Sequence, residues 1–276
     1  MSEKEFTPSF GAIESPIDVR DFKLSSAACA AEFPESFELT MCGIKNQGAV
    51  GSCVAHSLAE TIEYHDLIQN KTGNRMSTGF IYGNRRTSAY TGAGMVVRDA
   101  LKAITVYGDC YWTDMPANVE VPSAIEKFEG IYDSVKDLAY PNRISEYFRV
   151  SSISQIKAAL MNHGPVVFVI TWYSDIKVDS NGVISSKREK NTASGAHCMV
   201  IYGWDSRGWK IQNSWGICWG KKGTAILPYD FPINEAWGIV DNIVGNDQDL
   251  KKPFNTVIGQ VVAKVINCII NLFKRK

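Results

Sequence analysis

The sequence predicts an α+β fold in two packed subdomains with a cleft between them. Three observations carry that prediction. Apolar residues recur at helical spacing in the first half, as at Val54, Leu58, Ile62 and Leu67. Runs of β-formers dominate the second half, beginning with Val166-Val167-Phe168-Val169-Ile170 after Gly164-Pro165. The two kinds of element are segregated rather than alternating, and no internal repeat is visible, which points to α+β rather than to a parallel α/β sheet.

Length and composition bound the reading. A chain of 276 residues suits one large domain or two small ones packed together. Hydrophobic content of 45% and charged content of 21% are ordinary for a globular protein. Net charge is zero, so nothing argues for nucleic acid or for steering of a charged partner. Seven cysteines (29, 42, 53, 110, 198, 218 and 268) are an odd number without a close CxxC pair, which disfavours a zinc cluster and a complete disulfide framework. The acidic N-terminus has no apolar run to serve as a signal peptide, and a reducing, cytoplasmic setting is the simplest expectation.

The elements follow in order. Residues 1–32 are polar and turn-rich, with Gly11, Pro16 and Asp18-Val19-Arg20-Asp21; they read as an extended arm on the surface or as a disordered leader. Phe33-Pro34 begins a more hydrophobic stretch. A helix is expected over 53–70, with Ser52 a good residue for its start. A second is expected from Val96 to Val106, closed by Tyr107-Gly108, and a third from Ile153 to Met161, capped by Ser152 or Ser154. The strand run at 166–170 leads to an Asn181-Gly182 turn, and His197 to Tyr202 reads as a strand ending at Gly203. Trp209 to Asn213 alternates, and Gly223 to Leu227 ends at Pro228. This gives an arm (1–32), a mainly helical subdomain (33–140), a strand-rich subdomain (141–245) and a C-terminal linker with an apolar helix (246–276). In that last segment Gln260, Lys264, Asn267, Asn271 and Lys274 form one narrow polar stripe on an otherwise apolar helix. It is too polar and short for a confident span; it suits packing on protein, including a second copy, or a membrane surface.

The chemistry centres on Asn46-Gln47-Gly48-Ala49-Val50-Gly51-Ser52-Cys53, a Gly-rich loop that delivers a cysteine to a helix start. Unpaired N–H groups and the positive end of the macrodipole stabilise a thiolate there. A cysteine nucleophile needs a histidine base and a group to hold the imidazole. His56 and His65 ride the helix of Cys53 and read as packing or exposed residues; His163 reads as a surface turn residue. His197 stands apart, because small Ser194-Gly195-Ala196 lead into it and leave room for a substrate chain. Downstream lie Asn213-Ser214-Trp215-Gly216 and Trp219-Gly220, then Gly223.

Together these pieces closely resemble the papain-like cysteine peptidases, thiol proteases of the C1 type, over about Phe33 to about Asp241. Gln47 stands six residues before Cys53, and His197 falls within the family's usual spacing from the cysteine, with Asn213 slightly beyond it. The resemblance implies a helical left subdomain, a β-barrel-like right subdomain and an active-site cleft between them. It implies a thiolate–imidazolium pair of Cys53 and His197, with Asn213 orienting the ring and Trp215 shielding that bond from water. Gln47 and the Cys53 N–H would bind the oxyanion. Gly94 would pair with the substrate backbone, and Met95 and Ala196 would line the pocket for the second residue before the cut, with an apolar preference. The expected activity is cysteine endopeptidase cleavage of a peptide or protein substrate through a thioester on Cys53, with no metal or cofactor. An acyl transferase or isopeptide-deconjugating enzyme with the same triad, and a silent peptide-binding module, are the alternatives. Val50 and Val54 replace a cysteine and an aromatic common in the family, which agrees with an intracellular member lacking the local disulfide. Only 32 residues precede Phe33, so the long propeptide is expected to be absent; the enzyme is then either made active or restrained by residues 1–32 themselves.

Overall fold

The computed structural model describes residues 9–19, 21, 32–70, 72–87, 93–115, 135–185 and 193–241. The chain divides into two units, Met1–Asn242 and Ile243–Lys276, and the second, with the apolar helix expected there, lies outside the described residues. No helix among the described residues is long and apolar enough to cross a membrane.

The first unit is α+β. Three helices come early: α1 (Cys53–Asn70), α2 (Thr78–Gly83) and α3 (Val97–Tyr107). Short strands β1 (Ala12–Ile13), β2 (Phe37–Glu38) and β3 (Met95–Val96) are interspersed. The later chain supplies β4 (Ile144–Val150), helix α4 (Ile153–His163), β5 (Val166–Tyr173), β6 (Ala193–Asp205), β7 (Gly208–Gln212), β8 (Thr224–Leu227) and β9 (Glu235–Asp241). Among the described residues, seven of these strands make one antiparallel sheet in the order β4-β9-β5-β6-β7-β8, with β2 added to β6.

The period-2 alternation of the central strands explains how the sheet serves two cores. Val167, Val169 and Cys198 face a cluster shared with Val54, Ala55, Leu58 and Ile62 of α1 and Leu101 and Ile104 of α3. Val166, Phe168, Ile170, Met199 and Ile201 face the other cluster, with Ile156 and Leu160 of α4 and the large rings of Trp172, Trp204, Trp209 and Trp215. Helix α1 thus lies against the sheet with buried groups on most of its circumference, including polar His56, Glu60, Thr61 and Glu63. Burial of that kind fixes the helix start relative to β6, which the site requires.

The helices over 53–70, 97–107 and 153–163 agree with the sequence expectation. Ser152 caps α4, its hydroxyl accepting from the Gln155 N–H. Ser52 does not cap α1 in that way. Its hydroxyl is buried without a partner among the described residues, and its carbonyl accepts from the His56 N–H instead. Strand β6 does not end at Gly203. It continues to Asp205, because the missing Cβ admits the Phe37 carbonyl of β2, which would sit 2.3 Å from a Cβ there. His163 is half-buried at the end of α4, edge-on to Phe148, rather than a surface turn residue. Helix α2 and strands β4 and β9 were not expected. Each is short or, like β4, mixes polar and apolar residues without clean alternation.

The arm departs most from expectation. Residues 9–15 are not a surface strap. Gly11, Ala12 and Ser15 are buried, and β1 pairs in parallel with β3, Ala12 opposite Met95 and Ile13 opposite Val96. Glu14, between Ile13 and Ser15, is exposed, and so further on are Pro16, Ile17 and Val19.

Candidate active site

The site is assembled where the start of α1 meets β6 and the turn after β7. Loop residues 45–47 are tied to residues 214–216 by backbone bonds from Gln47 N–H to Ser214 C=O (2.8 Å) and from Gly216 N–H to Lys45 C=O (2.9 Å). Lys45 is in turn ion-paired inside the protein with Glu63 of α1, whose carboxylate also accepts from the Met76 N–H. The loop before the helix and the turn after β7 are therefore one fixture. That fixture brings Gln47, Cys53 and Asn213 together from segments far apart in sequence.

His197 sits on β6 opposite Ile170 of β5. Its Nε2 lies 2.7 Å from Asn213 Oδ1. The same oxygen accepts the Ser214 N–H at 2.8 Å, an obligate donor, so the amide oxygen faces the ring. Nε2 must then carry the proton, and Nδ1 of the neutral ring keeps a free lone pair. Nδ1 is buried and has no hydrogen-bond partner among the described residues. Trp215 stacks on the imidazole at 4.2 Å and 23°, closing one face of the His197–Asn213 bond to water. In that low-dielectric setting the bond is stronger than in solvent.

Cys53 is the first residue of α1 and is fully buried. Backbone N–H groups of Cys198, the residue after His197, of Gly11 in the arm, and of Val54 and Cys53 itself favour its thiolate. Burial nevertheless dominates: it pushes the Cys53 thiol up to about 11, those N–H groups opposing it. Burial also lowers His197 to about 4, the Asn213 bond opposing the shift. With the arm in place the pair is a neutral thiol and a neutral imidazole, not the thiolate–imidazolium pair the sequence led us to expect.

Gln47 is held by both ends of its amide. Its oxygen accepts from the Ser214 hydroxyl at 2.6 Å, and its nitrogen donates to Val50 C=O at 2.9 Å. The nitrogen also reaches the Ser9 hydroxyl at 3.0 Å and the Ser9 carbonyl at 3.3 Å. Trp215 Nε1 donates to that same carbonyl at 3.3 Å. Gly94 and Met95 bear on the arm too: the Met95 N–H donates to Gly11 C=O at 2.8 Å, and a Cβ on Gly94 would meet that oxygen at 2.5 Å. Met95 is buried, and half-buried Ala196 packs against the same cluster. Gln47, Cys53, Gly94, Met95, His197 and Trp215 therefore all bear on arm residues 9–11, while Asn213 reaches the arm only through His197 and Ala196 packs in the adjoining cluster.

The comparisons with known proteins agree with this geometry. The sequence model of the papain family cysteine proteases matches residues 34–234. The chain belongs to that family. It is 28% identical over 208 residues to an uncharacterised peptidase C1-like protein of Acanthamoeba polyphaga mimivirus, a match covering 69% of this chain and 65% of the viral protein. It is 24% identical over 257 residues to ananain of Ananas comosus, covering 87% of this chain and 68% of ananain. Among solved structures it resembles xylellain, a cysteine protease from Xylella fastidiosa, with a TM-score of 0.72, 26% identity, and coverage of 84% of this chain and 96% of the other. The chain spans a little under two thirds of the length of the viral relative.

Within a papain-family site, the residues missed by sequence reading are those of the arm. Ser9, Phe10 and Gly11 carry no periodic signal. Their signal is steric and appears only in the fold: a Cβ on Gly11 would lie 1.8 Å from the Gly51 carbonyl oxygen, so only a glycine passes the Gly51 turn. The other missed group is Glu235, buried at the start of β9. It accepts the Ser15 N–H (3.1 Å) and the Trp237 indole N–H (2.9 Å). Beyond it Arg98 donates to the Ser15 hydroxyl from its backbone N–H and to the Pro16 carbonyl from its guanidinium, which also pairs with the Asp21 carboxylate at 2.5 Å; Arg149 lies 3.6 Å from the same carboxylate.

Proposed function

We propose that the chain is a cysteine peptidase whose nucleophile is Cys53, held latent by its own residues 9–16. The observation that carries the reading is the His197 ring, fixed by Asn213 and Trp215 so that its free Nδ1 belongs to the site of a cysteine at a helix start. Once the arm leaves, water reaches the pair and the burial cost falls. Cys53 then passes its proton to Nδ1, and the helix start stabilises the thiolate. The sulfur attacks the carbonyl carbon of the peptide, and the oxyanion draws on the Gln47 amide N–H and the Cys53 N–H. His197 returns the proton to the leaving nitrogen as the C–N bond breaks, and water hydrolyses the thioester. Asn213 keeps the ring in the tautomer that both transfers need.

Latency follows from chain polarity. Because His197 protonates the leaving amine, the segment after the cut lies on the His197–Trp215 side, and the segment before it lies along Met95. The arm runs the other way, from Ser9 beside Trp215 to Ala12 beside Met95. The Gly11 N–H favours the thiolate, and the Gly11 carbonyl is bonded to the Met95 N–H. A reversed chain occupies the cleft without being a substrate.

The test is cleavage of a peptide library by the full chain, by Phe10→Ala and by the double variant with Cys53→Ala. Cleavage that rises with Phe10→Ala and vanishes with Cys53→Ala is expected. Cleavage that persists without Cys53 would falsify the assignment. Amine acceptors added beside water distinguish hydrolysis from acyl transfer or isopeptide exchange. A silent binding module would cleave nothing in any form.

A further inference from the structure

The arm also shows which side chain the leaving-group side of the cleft accepts. The Phe10 ring stands edge-on to His197 (centroids 6.0 Å apart, 90°) and to Trp215 (5.9 Å, 82°). Its Cβ lies over Gly195: a Cβ added there would be 2.8 Å from it, and the nearest atoms that such a Cβ would meet all belong to Phe10. Trp172 backs this wall, packed on Trp215 at 4.8 Å and on His197 at 5.9 Å, and Trp219 closes on Trp215 at 5.9 Å. The wall around the imidazole is thus aromatic, with a floor kept open by a glycine. Such rings favour an edge-on aromatic guest over an aliphatic or acidic one.

Resting on the peptidase reading, which puts the residue immediately after the cut against His197 and Trp215, we propose that this chain's wall selects a large aromatic side chain there, with Gly195 as its floor. His197 must face the leaving nitrogen, so the first side chain beyond that nitrogen is the one that reaches Trp215 and Gly195. Phe10 fills the place from a chain of opposite polarity. The pocket's chemistry is the same for either direction, since contact with ring faces and edges does not depend on the guest's backbone sense. Gly195 is the specificity-determining position: a branched side chain there removes the floor.

The experiment uses the full-length Phe10→Ala variant, in which the pocket is vacated, and the same variant carrying Gly195→Val. Peptides identical except for Phe, Ala, Lys or Asp after the cut are compared by kcat/KM. The Phe peptide is expected to exceed the Ala peptide by about tenfold or more, as one apolar pocket can supply. Gly195→Val should bring the Phe and Ala peptides to equal kcat/KM, whatever it does to the absolute rate of each. Equal rates for Phe and Ala peptides, or a preference unmoved by Gly195→Val, overturn the proposal. A second measurement needs no turnover: the rate at which a thiol-directed epoxide labels Cys53 in full chains with Phe, Trp, Leu or Ala at position 10. Slow labelling with Phe and Trp and faster labelling with Leu and Ala supports the pocket; one common rate overturns it. Should epoxide labelling follow this order while no peptide is cleaved, the pocket stands and the peptidase reading fails.

Discussion

Asn213 Oδ1 accepts from both the His197 ring and the Ser214 N–H. This double acceptance sets the tautomer, and through it the direction in which a proton can move. Gln47 is fixed with equal economy, its oxygen on Ser214 and its nitrogen on Val50 C=O, so its remaining N–H is aimed before any substrate arrives. In the arm-released Phe10→Ala background, Gln47→Ala should lower kcat by about 10²–10³, the cost of one oxyanion donor in another enzyme class. A loss confined to KM would assign Gln47 to binding alone. These residues were legible in the sequence because chemistry fixes their types and spacing. The protonation state was not legible, since it depends on burial by a segment with no motif of its own. That dependence can be checked by pH. With the arm in place Cys53 titrates near 11, so alkylation of the wild-type chain should rise only toward alkaline pH. In Phe10→Ala, alkylation should already be strong in mildly acid solution. Superimposable profiles would show that the arm does not control the thiol.

At the scale of elements, helix α1 and strand β6 carry the site, and the arm governs access to it. The 3.6-residue pattern made α1, α3 and α4 legible, and the apolar run made β5 legible. Strand β9 was not, because its burial comes from lying between β4 and β5 and not from any alternation of its own. The arm was misplaced for a related reason. Short polar and small residues look like surface when the groove that receives them is made by distant segments. The close crossing of Gly11 over Gly51 gives a sharp test. Gly11→Ala should push the arm out and raise the full chain's peptide cleavage, on the order of tenfold for each 1.4 kcal/mol of arm binding lost. Unchanged cleavage would mean that the arm yields elsewhere or does not restrain the enzyme. Helix α4 offers a control away from the cleft: Ser152→Ala should cost about 1 kcal/mol in urea unfolding and leave cleavage untouched.

For the whole molecule, the buried titratable groups predict a stability optimum close to neutrality. Burial lowers His56, His65 and His197 to about 4 from the ordinary 6.5. Between those values the unfolded chain binds more protons, so this contribution is full above 6.5 and is lost as pH falls toward 4. Burial raises Glu60 from 4.5 to about 8, so the folded chain holds its proton longer, and stability falls as pH rises through that window. Urea midpoints should therefore peak near 6.5, and Glu60→Gln should remove a decline that runs from 4.5 to about 8, flattening the alkaline limb and steepening the acid one; an unchanged alkaline limb would place the titrating group elsewhere, as at Glu63 or Asp109, whose carboxyls burial also raises. The α+β architecture and the groove between helices and sheet were readable from the segregation of periods, whereas the groove's occupant was readable only from the fold. The account as a whole rests on Cys53 as a nucleophile that the arm covers. Intact-mass measurement after brief exposure to a thiol-directed epoxide at neutral pH tests it most directly. The account predicts one adduct, mapped to Cys53, forming slowly on the wild-type chain, rapidly on Phe10→Ala, and not at all when Cys53→Ala is added. An adduct of the same mass that survives Cys53→Ala, or equal rates with and without Phe10, would contradict it.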